Sequence, residues 1–363
     1  MERQFYFGLN LLVLVALVVP RTHARGGELK LPPKPAASKP DEPPAKALSL
    51  DKSAEFLDGV TLHWLKARKC ASCHTGFPYL MARQALGDAK APALLHVRKF
   101  FEDRVADWDK GGKGAGMLKG DRVTWRSEGI TEVVAIAATL ALHDAQATGK
   151  LHPRTRQALE RMWELQEPSG AWAWNKTGLA PLEHDDYYGA VYAAVGVGHA
   201  PENYAKSAAA KPGLARLTEY LRRNPPPDLH HKTWLLWASL KLDGLLTPAE
   251  REQTIKDLLA LQRQDGGWNL PSLGAWKRRD DTPNDKNSPS DGYATGLILY
   301  VLRQADVPAT SDPVRRGLDW LKTNQRASGR WFTHSLNWDS GHSIANAGTA
   351  YAVMALKAWN VDE

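Results

Sequence analysis

Three copies of one spaced pattern, Gln-x3-Gly-x-Trp, narrow the architectures open to this 363-residue chain: Gln166-Gly170-Trp172, Gln262-Gly266-Trp268 and Gln325-Gly329-Trp331. Each copy closes a stretch with apolar residues three and four apart and charges between them. Arg156 to Leu165, Glu252 to Leu261 and Arg315 to Lys322 are therefore expected to be helices with one wet face. After each comes a loop and a helix of different composition. Tyr187 to Gly198, Tyr293 to Leu302 and Ala347 to Trp359 are rich in Ala, Gly and bulky apolar residues, and a helix apolar nearly all round is buried.

The alternation continues where the pattern itself has decayed. Leu214 to Arg222 precedes Lys232 to Leu242, Pro92 to Trp108 precedes Thr131 to Ala145, and Leu57 to Lys69 precedes Pro78 to Leu86. Repeats of one outer and one inner helix must stack to bury their apolar faces. The expected fold is all-α, a single closed α6/α6 toroid over residues 51–363.

The repeated Gln-x3-Gly-x-Trp resembles the QW repeat of squalene-hopene cyclases, oxidosqualene cyclases and protein prenyltransferase β subunits, over roughly residues 50 to 363. The resemblance implies an α/α toroid around a mostly apolar cavity, with an apolar or isoprenoid-like small molecule as ligand. It does not carry the family's chemistry with it. Triterpene cyclases join two such barrels and use an Asp-x-Asp-Asp acid, whereas this chain has the length of one barrel and contains no Asp-x-Asp-Asp. The prenyltransferase zinc takes an Asp, a Cys and a His, and no cysteine follows Cys73.

The chain opens with Arg3, an apolar run from Phe5 to Val19 and small residues in Thr22-His23-Ala24, the layout of a cleaved signal peptide over residues 1–24. That run of about 15 residues is short for a membrane span of about 20, so the mature chain is expected to be periplasmic or secreted, with no membrane span. Residues 25–50 carry Pro32, Pro33, Pro35, Pro40, Pro43 and Pro44 among lysines and alanines, which reads as a flexible linker. The formal charge of +7 is spread along the chain and no nucleic-acid motif occurs, so it reads as a soluble surface.

Cys70 and Cys73 are the only cysteines, and they stand in Cys-Ala-Ser-Cys-His with His74. This is the c-type haem attachment spacing: each thiol can bond one vinyl group, and His74 follows as an iron ligand. Haem c makes electron transfer, with a redox partner, the first functional expectation. Met117, in the glycine-rich stretch that begins at Gly111, is the candidate for the second axial position. A Cys70–Cys73 disulfide is an alternative in an exported chain. Zinc on Cys70, Cys73 and His74, with His63 or His96 as fourth ligand, is another, although adjacent Cys and His on a tight turn rarely both reach one tetrahedral ion.

Aligning the inner helices places Glu132, Asp186, His231, Asp291 and Asn346 at matching first-turn positions. With Tyr188, Tyr293 and His342 they form a candidate cavity mouth. Helix capping explains the same pattern, since side-chain oxygens satisfy orphan N–H groups and carboxylates favour helix N-termini. If the site holds a general acid, Asp185 and Asp186 are the first place to look, because two crowded carboxylates raise one pKa; Asp291 is the other catalytic candidate.

Overall fold

The computed structural model describes residues 29–108, 123–338 and 343–362. The chain divides into two units, Met1–Lys30 and Leu31–Glu363; of the first only Leu29 and Lys30 are described, outside any helix or strand. Twelve α-helices are described in the second: α1 Leu50–Arg68, α2 Phe77–Ala85, α3 Pro92–Asp107, α4 Val123–Ala147, α5 Pro153–Glu164, α6 Asp186–His199, α7 Lys211–Arg223, α8 Leu229–Ser239, α9 Pro248–Ala260, α10 Gly292–Gln304, α11 Asp312–Asn324 and α12 Ile344–Ala358. Among the described residues no strand forms and no helix is long and apolar enough to cross a membrane.

Proline punctuates the odd-numbered helices. Pro92, Pro153, Pro212, Pro248 and Pro313 sit in the first turns of α3, α5, α7, α9 and α11, where a missing N–H breaks no helical bond. A capping box of Thr247 and Glu250 reinforces the start of α9. These helices each bury a stripe and leave the rest wet. The even-numbered helices are buried along nearly their whole length: every residue from Tyr187 to Val197 in α6 and from Gly292 to Leu302 in α10 is buried.

The even-numbered helices pack in sequence, α2 on α4, α4 on α6, α6 on α8, α8 on α10 and α10 on α12, and α12 packs in turn on α2. The odd-numbered helices pack on them: α3 and α5 on α4, α7 on α6, α9 on α8, α11 on α10 and α12, and α1 on α12 and α2.

The Gln-Gly-Trp pattern explains how neighbouring odd-numbered helices are joined. Gln166 Nε2 donates to the carbonyls of Gly170 (2.8 Å) and of Gly213 in α7 (3.0 Å), and Gln262 Nε2 to those of Gly266 (2.7 Å) and of Pro313 in α11 (2.7 Å). The third copy reaches from the end of α11 back to the start of α1. Gln325 Nε2 donates to Ser49 O (2.8 Å) and Ser53 Oγ (2.8 Å), and its Oε1 accepts from Ser49 N (2.7 Å). Gly329 has φ +87°, and a Cβ there would lie 2.4 Å from the Lys52 carbonyl oxygen, so only glycine fits. Each tryptophan is fully buried and its Nε1 donates to a carbonyl of the preceding helix, Met162, Leu258 or Leu321.

Gln325 is therefore expected to matter more than its counterparts. Gln325→Ala should lower stability by about 2–3 kcal/mol in urea titrations, because it strands the buried Ser53 hydroxyl and the half-buried Ser49 backbone at once. A loss no larger than the ±0.5 kcal/mol or so typical of surface substitutions would mean that this join is incidental.

Two sequence expectations need correction. The proline-rich segment read as a flexible linker is, from Leu31 on, part of the folded unit. Proline lacks an N–H but keeps its carbonyl, so the segment docks through acceptors. Pro32 O bonds His63 Nε2 (2.8 Å), Ala36 O accepts from Arg330 (2.8 Å), and Glu42 pairs with the buried Arg330 (3.1 Å). Pro35 packs on Gly59, where a Cβ would approach it to 2.8 Å. Helix α4 also begins well before Thr131, since a single Gly129 weakens a helix by only about 1 kcal/mol and does not end it.

Candidate functional site

The cysteine turn joins α1 to α2. Lys69 caps α1 in a left-handed conformation (φ 51°), Ser72 adopts another (φ 63°), and Ser72–Gly76 forms a single π turn that runs directly into Phe77. Gly76 is required there: a Cβ would sit 1.9 Å from Ala71 O. Both cysteines are free; Cys70 stands at the surface and Cys73 is half-buried, beside a narrow cleft lined by Phe77, Ala135, Trp174, Tyr188, Tyr192 and Tyr351.

The surroundings keep the Cys73 sulfur protonated. Burial pushes the Cys73 thiol well above its ordinary range, with the Glu183 carboxylate adding to it.

His74 is held in place by its neighbours. Its Nδ1 bonds Thr75 Oγ1 (2.8 Å) and Ser72 Oγ (3.2 Å), and Trp64 packs edge-on against the ring at 4.7 Å. Asn346 supports the turn from α12 by donating to Thr75 Oγ1 (3.0 Å). Of the other residues singled out in the sequence, Met117 and His342 lie outside the described residues.

The expected polar ring is rearranged. Glu132 is well inside α4 rather than in a first turn, and it is paired with Arg104 on α3, whose Nε is 2.9 Å away. Asp186 accepts from Trp174 N (3.0 Å) and pairs with Lys176 (2.7 Å) at the surface. The caps of α6, α8 and α10 are Asp185, Asp228 and Asp291, each accepting from the backbone N–H three residues on. Sequence reasoning missed Asp228 because it began α8 at Lys232; an Asp three residues before His231 was the signal available.

Two of these caps share one imidazole. His231, almost fully buried, bonds Asp228 Oδ1 through Nδ1 (2.7 Å) and Asp185 through Nε2 (3.2 Å). Burial alone would lower its pKa, but the two carboxylates outweigh that and raise it to about 9. Burial acts on Asp185 in the opposite sense, yet hydrogen bonds from His184 and His231 hold its carboxyl far below the usual range. Asp185 is therefore a fixed anion and not the general acid expected of the Asp185-Asp186 pair. Asp291 differs: fully buried, accepting from Leu270 N (2.6 Å) and Ala294 N (2.9 Å), it is pushed up by desolvation to about 7.

Asp228, His230 and His231 offer ligand atoms within 4.8 Å of one another. His231 already shares its protons between two carboxylates, so the group is part of an ion cluster of one cation and two anions. His230 is buried and neutral, its pKa lowered by desolvation to about 3, with Nε2 against Tyr293 Oη (3.0 Å). It stacks on Tyr188, and beyond it Tyr293 meets Tyr351 at 5.0 Å and Trp234 meets Tyr192 at 5.3 Å. These rings contact one another where the even-numbered helices converge, so at that level aromatic side chains occupy the space the sequence assigned to a ligand.

No protein-family model matches the chain, and no curated protein aligns with it significantly.

Proposed function

We propose that this chain is an exported α6/α6 toroid of the squalene-cyclase-like kind that carries covalent haem c on Cys70 and Cys73, with His74 as axial ligand, and that it works in electron transfer. The toroid reading is supported by the cyclic packing order of the even-numbered helices and by Gln325, which joins the last odd-numbered helix to the first. The haem reading rests on one observation above all. Both thiols and His74 are carried by a single turn, and the imidazole is anchored through Nδ1. A bound haem would supply a one-electron iron couple; the chain supplies two thiols and a fixed imidazole. Met117 is the proposed second axial ligand, on its sequence position alone, and a redox partner would exchange electrons on the side where Cys70 is exposed.

A second reading, an apolar or isoprenoid-like ligand, draws on the ring cluster of Tyr188, Tyr192, Trp234, Tyr293 and Tyr351. It ranks below the first because such a ligand would have to displace packed rings.

Expression in a host competent in cytochrome maturation tests the haem. The expected product keeps haem on a denaturing gel, gains the mass of one haem and shows a Soret band, all lost in Cys70→Ala/Cys73→Ala. An unmodified mass with no Soret band would reject the reading.

A further inference from the structure

One cavity lies outside everything assigned so far. It opens between the docked proline-rich segment and α1, has a volume of about 540 Å³, and is lined by Lys34, Ser38, Val60, Trp64, Arg68 and Asn346 among others, none of them acidic. That volume is within the range of about 300–1,000 Å³ usual for small-molecule sites.

The charged groups that line it are all positive. Trp64 Nε1 and Ser38 Oγ are both shielded from solvent and have no hydrogen-bond partner among the described residues. Neither atom has surface in the cavity, so the groups that face it with charge are the cations. Among the described residues neither Lys34 nor Arg68 is paired with a carboxylate; the Arg68 guanidinium lies over the Trp64 ring, 5.7 Å from its centroid. The third cation lining the cavity, Arg330, is neutralised by Glu42. Two uncompensated cations, an indole face and the apolar Val60 describe a receptor for a flat molecule with an acidic edge.

The cavity also touches the cysteine turn. Trp64 packs on His74, and Asn346, which lines the cavity, bonds Thr75.

We propose that this cavity binds the carboxylates of a flat organic acid through Lys34 and Arg68, with the Trp64 ring as its apolar wall. Two sources share that chemistry: the propionates of a haem held on the adjacent thiols, to which the Trp64–His74 contact points, or a separate aromatic acid. The first source rests on the haem reading; the carboxylate site does not.

The test uses the full chain as Cys70→Ala/Cys73→Ala, which cannot form thioethers, and metal-free protoporphyrin IX, which His74 cannot ligate. Binding is followed by tryptophan quenching. Protoporphyrin IX is expected to bind, with its dimethyl ester weaker by about tenfold or more, and Arg68→Gln or Lys34→Gln should each cost a similar factor. Lys34 and Arg68 are exposed, so their variants should retain the helical circular dichroism of the parent. Equal binding of acid and ester, no binding of either, or indifference to Arg68→Gln and Lys34→Gln would each overturn the proposal. A further arm separates the sources. If the chain with covalent haem still binds 2-naphthoate with the same dependence on Arg68, a separate acid is the ligand; if covalent haem blocks 2-naphthoate, the propionates occupy the site. Failure of haem attachment would appear in the mass and leave the porphyrin result standing.

Discussion

Replacing His231 by leucine is expected to cost about 3–5 kcal/mol of folding stability, the range for removing one partner from a buried ion cluster. His231 is 1 % exposed and is the cation between Asp185 and Asp228, whose side chains are 25 % and 14 % exposed. Without it two anions face each other across a dry gap. Neither can relax by leaving, because each also caps a helix, α6 or α8. Some water reaches both carboxylates, which places the expected loss toward the lower end of the range. Asparagine caps as well as aspartate, so adding Asp185→Asn and Asp228→Asn to His231→Leu should recover more than half of the loss. Urea unfolding of the three chains measures this. A single His231→Leu within about 1 kcal/mol of the parent would show that the carboxylates are already solvated.

The alternation of helix types was legible because its signal is local. A period near 3.6 with charges between, as in Arg156 to Leu165, can be read without knowing what the helix packs on, and the Gln-Gly-Trp pattern is contained in seven residues. Helix starts were less legible. Lys232 was taken to open α8, although Asp228 caps it and the helix begins at Leu229, because propensity changes little over that turn. The ion cluster was not legible at all, since Asp185 and Asp228 belong to different repeats and meet only through His231. The docking of the proline-rich segment was hidden for a related reason. Composition reports that residues 31–49 cannot build a core, and that is correct; it is silent on whether their carbonyls meet His63, Arg326 and Arg330. In the same way the spacing of Cys70, Cys73 and His74 can be read directly from the sequence, whereas the burial of the Trp64 and Ser38 polar atoms cannot.

Folding stability is expected to peak near neutral pH and to fall by about 3 kcal/mol toward pH 5 and by a similar amount toward pH 9. On the acid side the cause is three buried neutral imidazoles. Burial holds His143 and His199 at about 4 and His230 at about 3, against an ordinary 6.5. Their neighbours fit only the neutral ring: Arg98 faces His143 Nδ1 at 3.0 Å, and Trp237 donates to His199 Nε2 at 3.1 Å. Below pH 6.5 the unfolded chain therefore takes up three protons that the folded one refuses. Asp291 works against them. Its folded pKa of about 7 exceeds the ordinary 3.8, so its contribution is fully present below 3.8 and is lost as pH rises through 7. The net uptake on unfolding is about two protons, or about 2.7 kcal/mol per pH unit. On the alkaline side His231 governs: raised to about 9, it contributes stability that is complete below 6.5 and disappears as pH climbs through 9. Urea midpoints from pH 5 to 9 check the profile, and His231→Leu separates its limbs. That variant should lose most of the alkaline decline, keep the acid one and reach its maximum at higher pH than the parent. A parent profile that is flat from pH 5 to 9, or a variant whose alkaline limb is unchanged, would show that these imidazoles titrate as they do in water.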